Sequence, residues 1–171
     1  TWKVRIPWLM LLMLSATFTG MIISSFEEAL SVYVILTAFI PMLMGTAGNA
    51  GGQSSVTIIR GLSLEELEFR DMPKVMLKEF NVSLLCGLTL AVANFVKLLV
   101  FDKTGIPVAL VVSLTLLAVV VIAKLVGCTL PMFAKKIVFD PAVMASPFIT
   151  TIVDAISLLI YFKIATTFLP I

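Results

Sequence analysis

Five stretches of this chain are almost wholly apolar and each about 20 residues or longer. They run over roughly residues 8–26, 30–55, 80–101, 106–133 and 147–169. At ~1.5 Å per helical residue, each reaches across a hydrocarbon layer of ~30 Å. The chain has 171 residues, of which 60% are hydrophobic and 13% charged, and its mean hydropathy is +1.15. An average soluble domain carries about 25% charged residues, so this apolar surface has to meet lipid. The expected fold is therefore an all-α membrane protein, one transmembrane domain over residues 1–171 with five membrane helices.

The same composition narrows the function classes. The formal net charge of +2 marks no basic face for nucleic acid, and the chain has no histidine. Cys86 and Cys128 each sit inside an apolar run and read as small buried hydrophobes rather than a metal or disulfide pair. The first apolar run lacks a small-residue cleavage pattern leading into a soluble domain, so it reads as a helix that stays. The chain opens on Thr1 rather than Met, which suggests a piece of a longer protein.

Charge placement orients the helices. Lys3 and Arg5 precede the first; Arg60, Arg70, Lys74 and Lys78 lie between the second and third; Lys135 and Lys136 lie between the fourth and fifth. Eight of the 12 basic residues thus fall on one side. The opposite connections carry Glu27 and Glu28, then Asp102 with Lys103. The positive-inside rule makes the N-terminus cytoplasmic and the C-terminus external. Within the cytoplasmic connector 60–79, Ser63-Leu64-Glu65-Glu66 fits a capping box, which predicts a short interfacial helix ending before Pro73.

Two polar features interrupt the apolar runs. The first is GTAGNAGGQSS, residues 45–55, at the end of the second run. Read as helix, Thr46, Asn49 and Gln53 share one face, while Ala47/Gly51 and Gly48/Gly52 are small-xxx-small pairs that let another helix approach closely. Part of the run could instead be unwound, with its carbonyls exposed to a watery cavity. Leu36 and Leu43 read as lipid-facing. The missing Gly-Lys-Ser/Thr ending argues against a phosphate-cradling loop.

The second feature is Asp154, within the fifth run. Ser146, Thr150, Asp154, Ser157 and Tyr161 follow at four- and three-residue steps and share a helical face. A carboxylate at such depth costs at least ~2.5 kcal/mol and has to face protein, water or an ion. Lys97, Lys124 and Lys163 read as lying toward helix ends, where they can snorkel, which leaves Asp154 as the single acid buried in a span. One Asp among hydroxyls, amides and carbonyls is hard-oxygen chemistry that suits Mg²⁺, Ca²⁺ or Mn²⁺ rather than zinc, copper or iron–sulfur. A two-fold axis through a homodimer would bring two copies of Asp154 together.

PMLMGTAGNAGGQSS from Pro41 and DPAVMASPFITTIVD from Asp140 to Asp154 together resemble the MgtE magnesium channels. The resemblance implies a homodimer in the cell's inner (plasma) membrane, its pore lined by the second and fifth helices on the dimer axis. Gly45, Gly48, Asn49, Gly52 and Gln53 would line it from the second helix, and Ala142, Ser146, Thr150 and Ser157 from the fifth and the segment before it. A hydrated Mg²⁺ would be held at Asp154. Glu27 or Glu28 would match an acidic residue at the outer mouth. Family members also carry a cytoplasmic N-terminal domain and CBS domains that sense internal Mg²⁺ and close the pore, and nothing in this chain matches those. The expected function is divalent-cation passage, Mg²⁺ before Mn²⁺ or Ca²⁺, without chemistry. A proton- or sodium-coupled carrier using Asp154 as a protonation switch, or a structural membrane subunit, are the alternatives. A membrane enzyme would need a second acid or a nucleophile at the same depth.

Overall fold

The computed structural model describes residues 2–136 and 147–170, apart from the side chains at positions 4, 5, 8 and 147. Every regular element among them is helical. Helix α1 (Trp2–Ser25) leads to a short α2 (Glu27–Val32) and a 3₁₀ turn (Val34–Phe39). Helix α3 (Ile40–Ser63) follows, then a second 3₁₀ turn (Phe69–Asp71) and α4 (Met72–Val100). Helices α5 (Ile106–Lys136) and α6 (Pro147–Phe168) complete the fold. Four helical stretches are long and apolar enough to cross a membrane: Val34–Ser63, Phe69–Val100, Ile106–Lys136 and Phe148–Phe168. The first span expected from the sequence falls in α1, where the apolar stretch Leu9–Ser25 is shorter than these four.

Several helix limits differ from the sequence reading. Helix α4 starts at Met72, with Pro73 in its first turn, rather than at about residue 80, and α3 runs on to Ser63. Two of the differences have a local reason. The second apolar run is not one helix. Pro41 stands in the first turn of α3. Its ring lacks an N–H and crowds the carbonyl four residues back, so an α-helix starts at Pro41 more readily than it passes through. Residues Ser63 to Glu66, read above as a helix start, end one instead. The Glu66 N–H donates to the Gly61 carbonyl at 2.9 Å and the Glu65 N–H to the Leu62 carbonyl at 3.4 Å, the two bonds of a Schellman cap. The Ser63 hydroxyl donates back to the Ile59 carbonyl, and the capping box belongs to Glu68 and Asp71 around the second 3₁₀ turn. As a sequence pattern the capping box fits only Ser63 to Glu66, yet the Leu67 side chain packing on Gly61 closes the chain there as a helix end.

The core lies among α3, α5 and α6, with the 3₁₀ turn before α3 laid against it. Leu36 and Leu43 belong to this core and are 0% and 1% exposed, so they do not face lipid as expected. The apolar edge of α3 turns into the core, while Gly48 meets α6 at Thr150 and Gly45, Asn49 and Gln53 lie along an exposed edge. The large apolar side chains left exposed on α1 and α4, such as Met13, Phe18, Leu85 and Val92, are the surface that lipid would cover.

Of the two small-xxx-small pairs, it is Ala47/Gly51 rather than Gly48/Gly52 that meets another helix at close range, through Gly51. A Cβ at Gly127 of α5 would run onto the Gly51 carbonyl of α3, 2.8 Å from its carbon, and a Cβ at Gly51 would sit 3.0 Å from the Ala123 carbonyl oxygen. The two backbones touch with no side chain between them. Gly48 has a milder constraint, its Cβ position lying 3.1 Å from the Thr150 methyl, and Gly52 has open space.

Two stability predictions follow from this packing. Gly127→Ala should lower stability by about 2 kcal/mol or more, as overpacking against backbone does. Gly20→Ala, with nothing within 4 Å of the new methyl, should be neutral or gain up to ~1 kcal/mol from helix propensity. Thermal midpoints in detergent compare them, and equal shifts would refute the backbone contact. At the α3 cap, Glu65 has φ +57°, a left-handed conformation that glycine adopts without Cβ strain. Glu65→Gly should therefore stabilise by up to ~1 kcal/mol in the same assay, and a loss would count against the cap.

Candidate functional site

Helix α3 stays helical through all of residues 45–55, so the unwound alternative does not hold. Its four glycines there each cost roughly 1 kcal/mol of helix propensity against Ala, and the packing on α5 and α6 offsets this. With the helix intact, Gly45, Gly48, Asn49, Gly52 and Gln53 come round to one side. There they border a cavity of about 900 Å³, whose other wall includes Thr150 and Asp154 of α6. A second cavity, of about 460 Å³, lies on the other flank of the stripe and takes in Thr46, Asn49, Gln53 and Thr89. The two amides thus stand between two open spaces.

Asp154 is half-buried at the wall of the larger cavity. Among the described residues, ion pairs join Arg70 to Glu68, Lys97 to Asp102 and Lys124 to Glu79, and none involves Asp154. Nor does any group of three or more His, Cys, Asp or Glu side chains gather there as a chelating cluster. Asp154 therefore offers an ion one carboxylate without a described counter-cation, in a space several water molecules across.

The other residues singled out from the sequence divide. Ser157 is 3% exposed, with its hydroxyl donating to the Val153 carbonyl at 2.5 Å. Tyr161 is fully buried and donates to the Leu36 carbonyl at 2.9 Å. Both belong to the core rather than to the cavity wall. They share a face of α6 with Asp154, but Tyr161 lies seven residues farther along, ~10 Å of helix, where the 3₁₀ turn before α3 covers that face at Leu36. Glu27 and Glu28 are exposed at the start of α2, away from the cavity. Ala142 and Ser146 lie outside the described residues.

Two charged residues of the cavity were misjudged from the sequence. Glu79 and Lys124 both line it, with side chains 16% and 9% exposed. Lys124 does not snorkel, since 12 residues separate it from Lys136 at the end of α5, ~18 Å of helix. Its Nζ lies 3.6 Å from Glu79 Oε2 and donates to the Ser54 hydroxyl at 3.4 Å. Ser54 in turn donates to the same Glu79 oxygen at 2.7 Å. Asp154 is thus not the single acid within a span. The signal was available: Glu79 precedes an apolar run by one residue, and Lys124 interrupts another near its middle.

Comparison with known proteins bears on what this cavity serves. The profile of the family described as MgtE, divalent cation transporter, matches residues 40–164. The chain belongs to the MgtE family. That match takes in α3 through most of α6, and so both walls of the larger cavity. Over 165 residues the chain is 39% identical to the magnesium transporter MgtE of Thermus thermophilus and 38% to that of Bacillus subtilis. The magnesium transporter MgtE of Enterococcus faecalis is 35% identical over the same length. Each alignment covers 96% of this chain and 36% of the relative, so the chain spans about a third of the length of these curated MgtE proteins.

Because Tyr161 is a core residue, Tyr161→Phe should lower stability by about 1 kcal/mol or somewhat more, leaving the Leu36 carbonyl without its partner. It should leave divalent-ion binding at the cavity unchanged. Chemical denaturation and an ion titration of the same variant check both halves.

Proposed function

We propose that this chain forms the ion pathway of a divalent-cation transporter, with Mg²⁺ as its principal cargo and Mn²⁺ or Ca²⁺ as weaker ones. The observation that carries the reading is the cavity itself, in which Asp154, the embedded carboxylate with no described counter-cation, faces a stripe of small and amide-bearing residues on α3. The MgtE relatives, named magnesium transporters, supply the choice of ion.

Glu79 is paired with Lys124, and Asp154 alone is too little to chelate a bare divalent ion. The proposed assembly is therefore a homodimer whose two-fold axis passes along the exposed Gly45/Asn49/Gln53 edge of α3, so that two Asp154 side chains face one path. Mg²⁺ prefers an octahedron of oxygens at ~2.0–2.1 Å and gives up its waters reluctantly. Two acids, with the oxygens of Asn49, Gln53 and Thr150, would hold such a hydrated ion through its waters. Ca²⁺, with longer bonds and more ligands, would fit that ring less well.

Five spans per chain complete this reading, with α1 as the additional one. The basic residues between α3 and α4 and at the end of α5 would lie at the cytoplasmic face of the plasma membrane, and the N-terminus with them. The cytoplasmic N-terminal and CBS domains of full-length family members would supply gating. A proton- or sodium-coupled carrier is the second reading, favoured by one observation: no cation among the described residues pairs with Asp154, which leaves its carboxylate open to a proton.

Asp154→Ala should reduce Mg²⁺ uptake into liposomes at least a hundredfold while the protein keeps its assembly state by gel filtration. Uptake at the normal rate would sink the proposal. Uptake in the unaltered protein that stops when a proton or sodium gradient is collapsed would instead select the coupled carrier. Direct carboxylate–metal bonds near 2.1 Å from both protomers, with few waters, would overturn the hydrated-ion part.

A further inference from the structure

The Glu79–Lys124 pair is unusual in both place and geometry. Each charge sits inside a helix apolar enough to cross a membrane, and each borders the cavity that holds Asp154. A buried pair retained for helix packing alone would be expected to be tight, with its lone pairs and protons satisfied. This one is loose. The charges stand 3.6 Å apart, and the ammonium's hydrogen bond to Ser54 is a long 3.4 Å. The short bond in the cluster, 2.7 Å, is from the neutral Ser54 hydroxyl to Glu79 Oε2. Among the described residues, Glu79 Oε1 takes no hydrogen bond. The carboxylate is thus oriented by Ser54, with one oxygen unclaimed and its counter-charge at the end of a flexible four-carbon stem.

Its level along the path can be read from contacts. Gly48 of α3 lies against Thr150 of α6, and Tyr161 further along α6 reaches Leu36 before α3, so the two helices run antiparallel. Asp154 is one α6 turn from Thr150 toward the Leu36 end. Ser54 lies six residues beyond Gly48 in the opposite direction, about 9 Å along α3. Asp154 and Glu79 therefore stand at separate levels of one cavity, on the order of 10–15 Å apart.

We propose that Glu79 is a second divalent-cation site of the pathway, masked in the ion-free cavity by the Lys124 ammonium, which a passing ion displaces. The proposal rests on the functional reading above and adds a site to it. Lys124 acts as a tethered counter-cation. It keeps the inner level of the cavity neutral while no ion is there, which spares an unpaired buried carboxylate. It also weakens the hold on an ion moving through, because binding at Glu79 has to compete with a covalently attached charge. Conduction needs this balance, a site attractive enough to enter and weak enough to leave. Without the lysine, two carboxylates in one low-dielectric space would bind a divalent ion roughly tenfold or more tightly, by Coulomb's law at an effective dielectric constant of about 20.

The test is Mn²⁺ binding, followed by electron paramagnetic resonance in the protein as the cell makes it, with differences taken between paired variants. Asp154→Ala removes the first site. Adding Lys124→Gln should raise Mn²⁺ affinity at least tenfold over Asp154→Ala alone, and adding Glu79→Gln to both should abolish the gain. No gain, or a gain that survives Glu79→Gln, overturns the proposal. Should the Lys124→Gln proteins fail to fold, Lys124→Arg decides. Its planar fork can engage both Glu79 oxygens, so in the otherwise unaltered protein Mn²⁺ affinity should drop at least threefold, and no drop overturns the proposal. Absence of Mg²⁺ uptake by the unaltered protein would count against the transport reading alone, since this binding is measured without flux.

Discussion

The contact on which the rest of the structure depends is the one between two backbones, at Gly51 of α3 and Gly127 of α5. No side chain separates the helices there. The consequence reaches one turn in each direction. Ser54 is three residues past Gly51 and Lys124 three residues before Gly127, so the crossing brings a hydroxyl and an ammonium within 3.4 Å. A Leu or even an Ala at the crossing would push α5 outward and part them. The glycines that lower the intrinsic helix propensity of α3 are thus what allows the polar cluster to assemble, and packing rather than propensity stabilises the helix.

The cavity works by contrast with its surroundings. Apolar side chains of α3, α5 and α6 close one side of the bundle, down to fully buried Tyr161 and Phe162. On the other side, small residues leave room for water and an ion, and each charge there acts at low dielectric. Asp154 lacks any described counter-cation, whereas Glu79 is matched by Lys124. On the proposed reading, an ion entering this space would meet one bare carboxylate and one neutralised carboxylate at different depths. That arrangement suits transit better than storage, because neither level offers the complete shell of protein oxygens that would trap a dehydrated ion.

Helix α3 owes its place in the site to having two dissimilar faces. Leu43, Ala47 and Ala50 seal it to the core, while Gly45, Gly48, Asn49, Gly52 and Gln53 face the cavity. The start of the helix is fixed by Pro41 and its end by the Schellman cap at Glu65. Between these two stops, contacts of Gly51 with α5 and of Gly48 with Thr150 set its position against its neighbours. Asn49 and Gln53 therefore stay in line with Thr150 and Asp154 across the cavity.

The sequence by itself determined the class and the helical character. Apolar runs of ~20 residues leave a chain little choice in lipid, where backbone groups have to bond within their own segment. It also pointed to the stripe on α3 and to Asp154, because polar groups amid apolar residues stand out at helical spacing. It did not determine which glycines touch a backbone, since Gly48, Gly51 and Gly52 are alike until a neighbouring helix selects one. It put Leu36 and Leu43 on lipid, because the run from residue 30 to 44 is apolar on every side and carries no mark of which side is core. Ser63 to Glu66 fits a helix start and a helix end equally until Leu67 docks on Gly61. Lys124 read as a residue able to reach an interface, and only the packing of α3 and α4 around α5 brought Glu79 to it. Charge pairing between residues 45 positions apart is a property of the bundle. No periodicity along one chain records it, because the partner's position is set by how helices cross.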